Sequence, residues 1–230
     1  MAANGSRRLI LAARVLGFSL AALLLCWAIH FRGGLAFSSE IKLKIFNIHP
    51  VLAVIGLVLI NGEAILVYKT FSGSKRFKKM VHLSLQAVGF LLGVVGLWAV
   101  YKFHIERGIE NFYTLHSWLG LGCIIFFALQ WIAGFVAFWY PNASVATKSA
   151  LLPWHVFLGF YIYALAIAST VTGILEKATF MQHHNMITHY SFEAIFLNIM
   201  GFLVIILGGL VAFIAIFPGN EQGQSYLPAP

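Results

Sequence analysis

The sequence predicts an all-α membrane protein with six transmembrane helices. Three observations carry that reading. Hydrophobic residues make up 60% of the 230-residue chain and charged residues only 10%, against about a quarter charged in soluble domains. The few charges are bunched between long apolar runs. Six such runs occur, each long enough to cross a hydrocarbon core of ~30 Å at ~1.5 Å per residue. Together these exclude a soluble enzyme, a disordered chain and a disulfide-stapled secreted module.

The first run, residues 9–31, contains Arg14 but no polar break with a cleavage site, so it is read as a spanning helix and not as a cleaved signal peptide. The next five run at 45–68, 80–103, 112–140, 150–175 and 194–217, with short polar joints. Residues 1–217 thus form one six-helix domain, and the polar, Gly- and Pro-containing segment 218–230 is expected to be a flexible cytosolic tail. Cys26 and Cys123 lie inside apolar runs and read as packing residues. With neither a CxxC nor a CxxCH pattern, any haem would be non-covalent.

Orientation follows from Lys and Arg. With a cytosolic N-terminus, nine lie on that side (Arg7, Arg8, Arg14, Lys69, Lys75, Arg76, Lys78, Lys79, Lys148) and six on the other (Arg32, Lys42, Lys44, Lys102, Arg107, Lys177). Both termini are therefore expected in the cytosol, with the sequons at Asn4 and Asn142 facing it unglycosylated. The net charge of +8 serves lipid headgroups, orientation and small anions, with no nucleic-acid partner.

Four successive helices each carry a histidine near their start: His49, His82, His116 and His155, spaced by 33, 34 and 39 residues. The segments IFNIHPVLAVIG and FYTLHSWLGLGC share an early His, as do KKMVHLSLQ and LLPWHVFLG, which suggests a two-helix repeat. Chain direction alternates, so His49 and His116 fall near the outer face and His82 and His155 near the cytosolic face. Imidazole at membrane depth needs a partner. Two opposed pairs at two depths suit two axially ligated haem irons roughly 20 Å apart. The plainer reading of any single His is a side chain packed on a backbone carbonyl.

Glycines support a flat ligand: Gly89, Gly93 and Gly96 share a face with His82, while Gly120 and Gly134 follow His116 as Gly159 and Gly173 follow His155. Ordinary small-residue helix packing is the alternative. The run KRFKK (75–79), read as a tight loop beside His82, places Lys79 and Lys75 for a small anion, with Lys148 in the other cytosolic loop. On the far side FHIERGIENFY (103–113) brings Phe103, His104 and Tyr113 toward His116. His183, His184 and His189 read as wet loop residues, and Arg14 and Glu63 fall at similar depth.

The four histidines, FYTLHSW, AILVYKTFS (64–72) and KKMVH together resemble the cytochrome b561 family, over about residues 10–217 and most closely its plant ascorbate-dependent members. The resemblance implies a central four-helix bundle holding two b-type haems, with His49, His116, His82 and His155 as iron ligands. It implies a transmembrane ascorbate-dependent reductase of the ferrireductase or monodehydroascorbate reductase type. Cytosolic ascorbate would donate electrons, and monodehydroascorbate or a ferric chelate on the other side would accept them. Lys75, Lys79 and Lys148 map to the ascorbate site, Phe103, His104 and Tyr113 to the outer site, and Lys79 and His104 are the catalytic candidates. The family often reads ALLVYRVFR where this chain has Lys69 and Ser72, and Lys lacks the bidentate fork of Arg. A vacuolar or other endomembrane is implied in preference to the plasma membrane, and a homodimer is left open. Two alternatives stand beside this: a six-helix metal-ion or small-solute transporter using the histidines as ligands, and a membrane scaffold without chemistry.

Overall fold

In the computed structural model, residues 2–140 and 143–216 are described. Asn142 and the segment 218–230 lie outside the described residues, as does the side chain of Asn4. Among the described residues, six helices are long and apolar enough to cross a membrane: α1 (Gly5–Phe31), α2 (Leu43–Thr70), α3 (Lys75–Arg107), α4 (Leu115–Trp139), α5 (Val145–His183) and α6 (Phe192–Ile216). The chain belongs to an integral, multi-pass membrane protein.

α3 and α5 reach well beyond their apolar runs, because capping side chains start them in polar sequence. The Ser74 hydroxyl accepts the Phe77 N–H, and the Ser144 hydroxyl accepts the Thr147 N–H. KRFKK is therefore the first helical turn of α3 and not a loop, and Lys148 lies in the first turn of α5. At its far end α3 runs to Arg107 and stops at Gly108, whose φ of 65° is a left-handed cap. Thr114 caps α4 in the same way as the two serines.

Three helices contain wide π turns: Trp27–Phe31 in α1, Val54–Ile60 in α2 and Phe135–Trp139 in α4. A π turn absorbs an inserted residue without breaking the helix. The one in α2 matters for the site, as shown below.

Helices α2, α3, α4 and α5 pack in a closed ring, each against the next, with α5 returning to α2. α1 and α6 pack on each other outside the ring, α6 also covering α5 and α2. Gly56 and Gly89 bring α2 and α3 into backbone contact: a Cβ on Gly56 would meet the Gly89 carbonyl oxygen at 2.5 Å, and one on Gly89 would meet that of Gly56 at 2.7 Å. Gly89 thus serves helix packing, the alternative weighed above, because α2 occupies the face that a ligand would need. The outer pair α1 and α6 is pinned by Glu193, which is 6% exposed and accepts from Trp27 Nε1 at 2.9 Å. Its other oxygen pairs with Arg32. Arg14 of α1 and Glu63 of α2 form a second ion pair at 3.0 Å, half-exposed on the outside of the ring.

Candidate functional site

Among the described residues, a cavity lies at each of the two opposite ends of the ring of four helices. One, of about 860 Å³, lies at the end where α3 and α5 start and is lined by His82 and His155. The other, of about 660 Å³, lies at the opposite end and is lined by His49 and His116. Both are in the range of small-molecule and cofactor sites, about 300–1,000 Å³.

Within each cavity the two imidazoles face each other. The rings of His49 and His116 are 5.9 Å apart between centroids, and those of His82 and His155 are 6.2 Å apart. A metal–imidazole nitrogen bond of about 2 Å on each side of one iron puts two ring centroids roughly 6 Å apart. The spacing therefore fits bis-histidine ligation without movement of either backbone.

The second nitrogen of each ring decides whether the first can bind metal. Nδ1 of His49 meets the Gly96 carbonyl at 3.2 Å, Nδ1 of His82 meets that of Ala64 at 2.8 Å, and Nδ1 of His116 meets that of Ser169 at 2.8 Å. A carbonyl oxygen only accepts, so each Nδ1 carries the proton and each Nε2 keeps a bare lone pair for a metal. His155 differs: its Nδ1 lies 3.1 Å from Nε2 of the Gln130 amide.

These supporting residues follow a rule along the chain. His82 to Gly96, His116 to Gln130 and His155 to Ser169 are each 14 residues, and His49 to Ala64 is 15. Each helix therefore carries one histidine and, about 21 Å further along, the residue that backs a histidine on its neighbour. The extra residue in α2 falls where the π turn Val54–Ile60 lies, which takes up one residue without rotating Ala64 away from His82. The sequence carries this signal as a nearly constant offset of 14 or 15 residues from each His.

The glycines obey the same exchange. A Cβ on Gly173 would stand 2.6 Å from His116 Cε1, and one on Gly134 would stand 2.9 Å from His155 Cε1. The glycines at the far end of each helix thus make room for the histidine of the neighbouring helix, not for the histidine of their own. On α3, Gly93 borders the His49–His116 cavity, while Gly96 packs against the His49 main chain at the entry of α2.

At the larger cavity five lysines line the wall: Lys69, Lys75, Lys78, Lys79 and Lys148. Lys79 Nζ donates to the Phe138 carbonyl at 3.3 Å, and Lys78 Nζ to that of Tyr68 at 3.4 Å. Lys75, Lys79 and Lys148 are thus together at one cavity, and Lys78 joins them, which the sequence analysis did not single out. Phe138 stands edge-on to His155 at 5.1 Å. No acidic residue lines this cavity among the described residues, so the field inside it favours anions.

At the opposite cavity Phe103, His104 and Tyr113 all contribute to the wall. Phe103 is buried between Phe46 at 5.3 Å and His104 at 5.9 Å. His104 Nδ1 pairs with Asn111 Oδ1 at 2.9 Å, and Tyr113 is largely exposed at the rim. Phe46, Asn111 and Lys177 are further lining residues, Lys177 holding its ammonium 4.2 Å above the Phe46 ring. His184 reaches this wall, at the end of α5, whereas His183 and His189 line neither described cavity. Arg14 and Glu63 also stand apart from both. Among the described residues no group of three or more His, Cys, Asp or Glu side chains is arranged to hold a bare metal ion.

Comparison with known proteins gives the same direction. Residues 48–181, which include all four histidines and their supports, match the family model for eukaryotic cytochrome b561. The chain is 55% identical over 220 residues to transmembrane ascorbate ferrireductase 2 of Arabidopsis thaliana, covering 96% of both chains. It is 43% identical to probable ascorbate-specific transmembrane electron transporter 1 of Oryza sativa subsp. japonica, over 95% of this chain and 94% of that one. A mammalian relative, the transmembrane ascorbate-dependent reductase of Sus scrofa, is 35% identical over 87% of this chain and 79% of its own.

Proposed function

The chain belongs to the eukaryotic cytochrome b561 family, and from that premise we propose that it takes single electrons from cytosolic ascorbate and delivers them across the membrane through two non-covalent haems b. It is a transmembrane ascorbate-dependent reductase, and family membership implies b-type haem. The transporter alternative finds no support in these relatives, whose names describe reductases and electron transporters.

The observation that carries the two-haem reading is the pair of facing imidazole couples, 5.9 and 6.2 Å apart, one in each cavity. His49 with His116 and His82 with His155 would hold the haem irons through their imidazole nitrogens. When bound, the haems supply reversible one-electron storage at two depths, so that no substrate needs to cross.

The chain's own residues handle substrates and protons. Ascorbate is an anion at neutral pH, and the five lysines of the larger cavity attract and orient it. Lys79, anchored on the Phe138 carbonyl, has further N–H donors to offer the ascorbate oxygens, with Lys75 and Lys148 on the same cavity wall. Loss of one electron and one proton converts the ascorbate anion to the monodehydroascorbate radical anion, and the proton leaves through the open lysine rim. At the other end His104 is held by Asn111 and faces the acceptor beside Phe103 and Tyr113. With monodehydroascorbate as acceptor, one electron and one proton restore ascorbate, and His104 on the cavity wall would deliver that proton. With a ferric chelate as acceptor, one electron yields the ferrous form and no proton is required. Lysine enrichment supports placing the larger cavity and both termini in the cytosol. A vacuolar or other endomembrane completes the reading.

The test is the visible spectrum of detergent-purified protein, oxidised and then ascorbate-reduced, with a haem-to-protein ratio. Two haems per chain and a sharp low-spin b-type α-band on adding ascorbate are expected. A protein that neither carries haem nor takes it up on reconstitution overturns the proposal.

A further inference from the structure

Three of the four histidines have a main-chain carbonyl as their nearest support, and one has only a side chain. Gly96, Ala64 and Ser169 offer backbone carbonyls to Nδ1 of His49, His82 and His116. At the equivalent position for His155 stands Gln130, which lies 14 residues after His116 as Ser169 lies 14 after His155. Gly159, one turn after His155, lies beside the Gln130 amide, whose Nε2 would be in ordinary contact, at 3.8 Å, with a Cβ there. That amide donates to the His155 carbonyl at 2.6 Å and lies 3.1 Å from His155 Nδ1.

An amide N–H₂ facing Nδ1 has only protons to offer. It leaves Nδ1 bare and puts the ring proton on Nε2, the nitrogen turned to His82 and the cavity. Metal ligation needs the reverse: a bare Nε2 and a protonated Nδ1. A half-turn of the Gln130 amide exchanges N–H₂ for the carbonyl oxygen and meets that need, at the loss of the bond to the His155 carbonyl, from which the amide oxygen must then draw back because Nε2 stands only 2.6 Å from it. At the other three histidines a backbone carbonyl, which cannot turn over, fixes the tautomer; the Ser169 hydroxyl, 3.4 Å from His116 Nδ1, is a longer second contact beside the 2.8 Å carbonyl.

We infer that Gln130 is the positioning residue of the haem at the lysine-rich end, its amide orientation selecting the ligating tautomer of His155 and setting the electron richness of that ligand. The inference rests on the two-haem reading above. A carbonyl accepting from Nδ1 makes the ligating nitrogen more basic, a carboxylate more so, and an apolar side chain not at all.

The experiment is a redox titration of both α-bands, with haem retention during dialysis, in the unmodified protein, Gln130→Leu and Gln130→Glu. Gln130→Leu is expected to weaken haem retention at this site about 10–100-fold. It should also favour the reduced form of that haem by about tenfold, ~59 mV for a one-electron couple. Gln130→Glu, nearly isosteric and so the safer variant to fold, should move the same potential the opposite way. The His49–His116 haem serves as internal reference and should not move. Shifts of the same sign in both variants, or none in either, overturn the inference, since a mere spacer has no reason to respond to the sign of the change. The reading it rests on fails separately: an unmodified protein without two ascorbate-reducible haems overturns that reading, whereas intact haems that ignore position 130 overturn only the assignment of Gln130.

Discussion

Replacing Gly173 with alanine tests the geometry of one histidine pair with a single methyl group. The added Cβ would stand 2.6 Å from His116 Cε1 and 2.8 Å from His116 Nδ1. An ordinary carbon contact lies near 3.5–4.0 Å, so the ring must retreat by about 1 Å. Retreat is opposed by the bond from Nδ1 to the Ser169 carbonyl at 2.8 Å. It also displaces the ring from its 5.9 Å spacing to His49, whereas metal sites tolerate bond-length errors of only about 0.2 Å. Overpacking of this kind costs about 1–3 kcal/mol, equivalent to a loss of roughly 5- to 150-fold in haem affinity at this site. Gly122→Ala is the control, because nothing stands within 4 Å of its added Cβ and alanine favours helix. The assay is the haem-to-protein ratio after purification, with separate titration of the two haems. Gly173→Ala is expected to retain the haem at the lysine-rich end and to lose or weaken the other, while Gly122→Ala keeps both. Full occupancy with unshifted potentials in Gly173→Ala would refute the claim that this glycine makes room for a ligating His116.

Three further outcomes follow from the same geometry. His82→Ala should remove the haem at the lysine-rich end and leave the other, halving the haem-to-protein ratio; an unchanged ratio would sink the pairing of His82 with His155. Lys79→Ala should slow reduction by ascorbate by tenfold or more and leave reduction by dithionite within about twofold, a split that corresponds to ~1.4 kcal/mol of donor binding or orientation; equal slowing by both reductants would point instead to a damaged haem site. Glu193→Ala should leave the largely shielded Arg32 without its carboxylate and lower the thermal stability of the detergent-solubilised protein, by up to about 3–5 kcal/mol, the range for a buried pair broken from one side. Glu193→Ala melting with the unmodified protein would show that the α1–α6 contact does not depend on this pair.

Hydropathy and chain direction are local properties, and what they determine was legible in the sequence: six spans, their order, and the end at which each of the four histidines sits. The chemistry of imidazole at membrane depth, with the family resemblance, extended that to the reductase class. Helix ends were less legible, since Ser74 and Ser144 carry α3 and α5 through polar residues that hydropathy assigns to loops. What faces each imidazole was decided only in the tertiary structure. Gly89 reads the same as Gly173 along a helix, yet one packs on Gly56 and the other under His116. The difference lies in which neighbouring helix comes close and at what height. Gln130 is likewise an ordinary polar residue in an apolar run until α5 places the Nδ1 of His155 3.1 Å from its amide. Spacing along one helix names the face a residue occupies; the partner on that face comes from another helix, whose approach is set by backbone contacts and a π turn far from it in sequence.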